Sequence, residues 1–191
     1  MASGTDSRRV FGGKSEKMKI YFTATQNTPY QRTFVDNCVE LLGNSGFKVF
    51  LATDPYISNQ SAFEQTMEKD GTPVTSDETK FGKIKKNAFA NQVFTENYAK
   101  LAEADVLIAL LDGSQVDDRV ACEIGIFYGL MRSDPAKKGI LGLATDARCL
   151  RRHDSTYGIN IFTLGTLEEV GKVEENLNSA VEILNDWNKN N

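Results

Sequence analysis

The sequence is poor in the residues that most often carry catalysis or hold a covalent framework. One histidine, His153, occurs in 191 residues, which removes the metal sites built on paired histidines. A Ser-His-Asp triad would have to use that one residue, and no serine sits in a nucleophile-elbow motif. His153 therefore reads as a loop residue. The three cysteines, Cys38, Cys122 and Cys149, are odd in number and lack CxxC spacing, so neither a disulfide framework nor a zinc site follows. No apolar run approaches the roughly 20 residues that span a bilayer, and the N-terminus lacks the apolar core of a signal peptide. Basic charge is not in excess, the net charge being −4, whereas a nucleic-acid-binding surface is normally basic. The short run Lys83, Lys85, Lys86 reads as a solvated loop rather than a phosphate clamp. These absences point to a cytoplasmic protein with neither nucleic-acid nor membrane partners. Any acid–base chemistry it performs belongs to carboxylates.

What remains is a patterned chain. Residues 1–17 are polar, Gly-rich and irregular and are expected to be a disordered leader. A single domain is expected over residues 18–187. "MKIYF" (18–22) reads as a buried strand. Phe34, Cys38, Val39 and Leu42 recur at helical spacing until "GNSG" (43–46) stops the helix. "FKVFLA" (47–52) is a second strand. Residues 53–82, with Pro55, Gly71, Pro73 and Gly82, form a loop insertion. A helix is expected over about 85–103. "DVLIALLDG" (105–113) is apolar throughout, as a central parallel strand should be. A helix over 118–131, a strand over 139–145, an edge strand over 159–165 and a final helix from 166 to 187 complete the reading. The βαβα alternation predicts an α/β fold, a parallel sheet flanked by helices.

Ligands of open parallel sheets bind outside the carboxyl ends of the strands. Three segments meet that description: Thr23–Thr25, Asp112–Asp118 and the stretch around Tyr157–Asn160. Glu123 falls near the start of the helix that leaves the second of them. Asp117 or Asp118 can cap that helix, and a helix N-terminus stabilises an exposed anion by about 0.3–1 kcal/mol. From position alone, Glu123 is a first-turn glutamate that stabilises its helix; the alternative is a poorly solvated carboxylate able to act as a nucleophile. It lies beside the stripe of Val120, Ile124, Phe127, Tyr128 and Met131, and Gly125 leaves room for a close approach. On the preceding helix, Ala90, Phe94, Asn97 and Leu101 share one face. Asn97 is then either a satisfied core amide or an amide facing a pocket.

Three stretches together carry a resemblance: "MKIYF", "ADVLIALLDGSQVDDRVACEIGIFYGL" and "YGINIFTLG". In this order they resemble the nucleoside 2-deoxyribosyltransferase family, over most of the chain from Lys19 to about Leu184. The resemblance implies a flavodoxin-like fold and the exchange of bases on 2′-deoxyribonucleosides, with free nucleobases as second substrates. It implies no metal and no cofactor. It makes Glu123 the nucleophile that forms a covalent deoxyribosyl-enzyme with net retention, as in retaining glycosidases. It makes Tyr21 the group that orients that nucleophile and Asp117 a substrate-binding carboxylate at the reacting centre. Asn160 would reach into a neighbouring subunit's site and Phe162 would lie against the nucleoside, so a homo-oligomer with shared active sites is implied. Gly113, closing the central strand, joins Asn97, Asn160 and Phe162 as a substrate-binding position.

The chain also departs from the family pattern. Asn97 stands where the family usually carries an aspartate that protonates the leaving base. An amide can hydrogen-bond a base but cannot act as an acid, so that role falls to Asp117 or to water. "TATQN" replaces a common Ala-Gly-Pro turn after the first strand. Two further readings follow. One is a nucleoside or nucleotide N-glycosidase, with Lys83–Lys86 and Thr23–Thr25 near a 5′-phosphate. The other is a non-catalytic nucleotide-binding module.

Overall fold

A computed structural model describes residues 17–52, 74–79, 82–149 and 158–189. The leader, residues 53–73, Tyr157 and His153 lie outside the described residues. Strand β1 (Lys19–Thr23) leads into helix α1 (Pro29–Asn44) and β2 (Lys48–Leu51). A hairpin of β3 (Val74–Thr79) and β4 (Gly82–Asn87) precedes α2 (Ala88–Glu103). Then come β5 (Val106–Leu110), α3 (Asp118–Met131), β6 (Gly139–Leu143), α4 (Ile161–Val170), β7 (Gly171–Glu174) and α5 (Leu177–Lys189).

The main sheet has five strands in the order β2-β1-β5-β6-β7, every neighbouring pair parallel. With the hairpin set aside this is the flavodoxin-like order, whose switch point lies between the first strand and the next one laid on its other side. Here that is the gap between β1 and β5, where Tyr21 pairs with Leu107 and Thr23 with Ala109. The chain turns outward in opposite directions from these two strands, and a crevice opens at their carboxyl ends.

The two-residue period of the strands divides the core into two layers. Ile20, Phe22, Val106, Ile108, Leu110, Leu141 and Leu143 face α1 and α5, where Val35, Cys38, Leu42, Ala180 and Leu184 complete the layer. Tyr21, Leu107, Ala109 and Ile140 face the other way, onto Leu101 of α2, Val120, Ile124 and Phe127 of α3, and Leu164 and Leu167 of α4. Each fully buried aliphatic or aromatic side chain here contributes about 1.5–3 kcal/mol. α1 starts sharply: the Thr28 hydroxyl accepts from the Gln31 N–H, the Gln31 side chain accepts from the Thr28 N–H at 2.9 Å, and Pro29 opens the first turn.

Three expectations are corrected. The segment 159–165 is not an edge strand. The Asn160 side chain accepts from the Phe162 N–H at 2.9 Å, which starts α4 at Ile161, and Leu164 and Leu167 then reach the core one turn apart. The single helix expected over 166–187 is two helices with the edge strand β7 between them. Gly171 starts that strand at a point where a Cβ would overlap the Ile140 carbonyl, and Asn176 caps the following helix by accepting from the Ser179 N–H. Finally, residues 74–79 are not loop and α2 does not begin at Lys85: residues 74–79 pair antiparallel with 82–87, from Val74 opposite Asn87 to Thr79 opposite Gly82. β-branched Val74, Thr75 and Thr79 favour the extended chain there.

Candidate active site

The crevice brings together groups far apart in the chain. The Tyr21 hydroxyl donates to Glu123 Oε1 at 2.9 Å, across 102 residues. Tyr21 is fully buried and Glu123 is 6% exposed. Thr23, two residues on and so on the same face of β1, is also fully buried. Among the described residues, the buried side-chain oxygens without a hydrogen-bond partner are Thr23 Oγ1 and Glu123 Oε2.

Glu123 is the sixth residue of α3, in its second turn rather than its first. The helix dipole, which acts within the first turn, therefore gives it little. Its burial follows from periodicity: Val120, Glu123, Ile124 and Phe127 all lie on the core face of α3. The carboxylate stands within the packing stripe rather than beside it. A Cβ at Gly125 would meet nothing within 4 Å, so among the described residues no other element packs closely there.

Asp117 caps α3, its Oδ1 accepting from the Arg119 N–H at 3.0 Å. Its other oxygen accepts from the Thr25 hydroxyl at 3.2 Å. Arg119 Nη2 donates to the Ala24 carbonyl at 2.6 Å. These contacts tie the loop after β1 to the first turn of α3, and they set a cation beside the buried carboxylate. Gly113 has φ +123, a conformation that side-chain-bearing residues rarely adopt. The loop after β5 turns there before reaching Asp117. Asp112, just before it, accepts from the backbone N–H groups of Thr145 at 2.6 Å and Asp146 at 3.0 Å, joining the ends of β5 and β6.

The electrostatics are dominated by burial. Burial raises the Glu123 pKa; Thr23, Tyr21 and the Arg119 guanidinium pull it down, and Asp117 pushes it up. Thr23 thus acts on the carboxylate although no hydrogen bond closes between them. Burial, the Glu123 charge and the shared hydrogen bond all raise the Tyr21 pKa. The phenol keeps its proton at neutral pH and is the donor. A carboxylate so placed, with one oxygen held and the other unpartnered, can attack an electrophilic carbon or accept a proton.

The remaining expected residues lie on other elements. Asn97 is buried, at 6% exposure, on α2, which packs against α3. Its supposed neighbour on the stripe, Phe94, is 54% exposed and stacks on Tyr98 with centroids 5.6 Å apart, so the apolar face of α2 is narrower than its spacing suggests. Asn160 uses its side-chain oxygen to cap α4. Phe162 is 86% exposed and is not part of the core. A cavity of about 340 Å³ opens at the same strand ends; Thr25, Tyr30, Phe34, Asp112, Thr145 and Arg148 are among its lining residues. It shares Thr25 with the Glu123 cluster. Sequence reasoning placed Thr23–Thr25 at a ligand-binding strand end but gave neither threonine a role beside Glu123, and it missed Arg119. The signals were present: Thr23 is two residues after Tyr21 in a strand, and Arg119 is four before Glu123 in a helix. Among the described residues, no helix is long and apolar enough to cross a membrane.

A family model described as Nucleoside 2-deoxyribosyltransferase matches residues 20–176. No curated protein matches the chain. Among solved structures, a conserved protein from Enterococcus faecalis V583 is similar with TM-score 0.56 and 20% identity, over 87% of this chain and 96% of that one. A 2-deoxyribosyltransferase from the psychrotolerant Bacillus psychrosaccharolyticus, described as a biocatalyst for nucleoside synthesis, is similar with TM-score 0.50 and 17% identity, over 85% and 90%. At these identities the two structures speak for the fold.

Proposed function

Because the chain belongs to the nucleoside 2-deoxyribosyltransferase family, we propose that it moves the 2-deoxyribosyl group of a 2′-deoxyribonucleoside from one nucleobase to another, with Glu123 as the nucleophile. The observation that supports this most directly is the asymmetry of the buried carboxylate: Oε1 is held by Tyr21 while Oε2 has no partner. Oε2 attacks C1′ of the sugar. The C1′–N bond breaks and its electron pair leaves with the base, which takes up a proton. The sugar is then an ester of Glu123. A nitrogen of the second base attacks C1′ from the opposite face and gives up its proton, restoring the one taken by the first base; the carboxylate departs, and two inversions give net retention.

Tyr21 fixes the carboxylate's orientation and, as a permanent donor, stabilises it when it is released. Asp117 engages the substrate near the sugar, and either it or water supplies the proton to the leaving base. Asn97 hydrogen-bonds the base without acting as an acid. Gly113 lets the backbone approach the substrate. Asn160 and Phe162, exposed on α4, serve the site of a neighbouring copy, so the active form is a homo-oligomer.

The test is an exchange assay with a deoxynucleoside donor and a free acceptor base. Wild type should form the new nucleoside, and mass spectrometry with a slow donor should find a deoxyribosyl adduct on Glu123. Glu123→Ala should lose exchange by at least 10³-fold, roughly the scale on which losing a covalent nucleophile acts, while still binding nucleoside. Release of deoxyribose with no exchange product would replace transfer by hydrolysis. Undiminished exchange by Glu123→Ala would remove Glu123 from the reaction.

A further inference from the structure

We propose that Thr23 is a second positioning residue for Glu123, its hydroxyl acting on Oε2 as the Tyr21 hydroxyl acts on Oε1. This rests on the reading of Glu123 as the nucleophile. The geometry comes from the pleat of β1. Tyr21 and Thr23 are two residues apart, so both side chains leave the same face of the sheet, toward α3. Thr23 is the last residue of β1 and is fully buried, beside the crevice.

Buried hydroxyls are nearly always hydrogen-bonded. That of Thr23 is not, and the other unpartnered buried oxygen is the free oxygen of Glu123. A donor without an acceptor thus stands next to an acceptor without a donor. Packing alone does not account for a hydroxyl here. Valine has the same shape and an equal preference for strands, and it leaves no orphaned donor.

The proposed action involves no proton transfer. Rotation about the Thr23 Cα–Cβ bond points the O–H at Oε2 while the carboxylate is ionised. The bond opens when Oε2 joins C1′ and forms again when the carboxylate departs. The hydroxyl thereby favours the ionised carboxylate both before attack and after release. Burial of Glu123 acts the other way.

The experiment compares Thr23→Val, which deletes the hydroxyl and keeps the shape, with Thr23→Ser, which keeps the hydroxyl. The readout is the pH profile of kcat/KM for base exchange, with Glu123→Ala measured alongside. Thr23→Val should move the acid limb upward by about one pH unit, a tenfold loss below the limb, with KM on the plateau unchanged. Thr23→Ser should restore the wild-type limb. Should Thr23→Val not fold, Thr23→Ala set against Thr23→Ser makes the same comparison. A hydroxyl-free variant that folds and reproduces the wild-type profile overturns the inference, and if Glu123→Ala is inactive beside it the nucleophile reading stands. A Glu123→Ala protein that still exchanges bases overturns both.

Discussion

Replacing Tyr21 by phenylalanine removes one hydrogen bond and little else. The ring stays in the core layer with Leu107, Ile124 and Phe127, and the lost contact is the 2.9 Å bond to Glu123 Oε1. A buried hydrogen bond to a charged acceptor is worth about 1.5–3 kcal/mol, and one pKa unit corresponds to about 1.36 kcal/mol. Loss of the bond should raise the Glu123 pKa by about 1–2 units above its already elevated position. The sign follows from linkage. The folded Glu123 holds its proton more tightly than the unfolded one, so its contribution to stability is full below the ordinary carboxylate value, about 4.3. It declines as pH rises through the folded value. In Tyr21→Phe the decline should extend to higher pH and go deeper. Urea unfolding should find the variant weaker than wild type at pH 7.5 by more than at pH 4. In the exchange assay the acid limb of kcat/KM should move upward by the same 1–2 units. A folded Tyr21→Phe protein whose acid limb stays in place would refute the reasoning, because Glu123 would then be held by something other than Tyr21.

Two further changes test the surroundings. Glu123→Gln keeps the shape, removes the buried charge and should stabilise the fold at neutral pH while ending exchange; its stability advantage over wild type should shrink as pH falls toward 4, and an advantage independent of pH would contradict the burial argument. Lys137 is 9% exposed and donates to the Ala102 carbonyl at 2.8 Å and the Ala104 carbonyl at 2.7 Å, with the Phe127 ring 5.0 Å from its ammonium. Lys137→Met should cost about 1–3 kcal/mol by orphaning those carbonyls, seen as a fall in Tm of roughly 2–4 °C per kcal/mol; an unchanged Tm would show that the carbonyls are satisfied without it.

The parts of the fold that the sequence made legible are those where one force dominates. β5 and β6 are buried along their whole length, and an unbroken apolar run has no other comfortable place in such a domain. α1 carries its own start signal in Thr28, Pro29 and Gln31. The misreadings fall where two forces compete. "INIFTLG" is rich in strand-formers, but the cap supplied by Asn160 and the pair Leu164 and Leu167 make it helical. The helical spacing of Leu177, Val181 and Leu184 belongs to α5 alone; upstream of it, Val173 packs on the layer of Leu167 and Val170 from a strand. The site divides in the same way. Position made Glu123 a helix-stabilising surface charge, and nothing local pairs it with a tyrosine 102 residues away. The resemblance suggested that pair, and the sheet order brings it together. Thr23 and Arg119 needed only the strand and helix periods, once Tyr21 and Glu123 were known to meet.

The cost of burying Glu123 and its proposed use have one origin. α3 places a carboxylate on its core face, where an aliphatic residue would be more stable, and β1 supplies one closed hydrogen bond rather than the several a buried anion needs. A surface glutamate would cost nothing and would be hydrated at both oxygens, and removing that water would add to the barrier of any attack. At this strand end Oε2 is already dry, and its orientation is set by Tyr21 through the other oxygen. Arg119, four residues earlier on the same helix, offsets part of the burial. Closing the remaining orphan by a permanent donor would stabilise the protein and quench the nucleophile. A hydroxyl that can turn toward Oε2 and away again, such as that of Thr23, meets both demands. On this argument Thr23→Val and Tyr21→Phe should not be additive: both act on one carboxylate, and the double variant should move the acid limb by more or less than the sum of the two shifts.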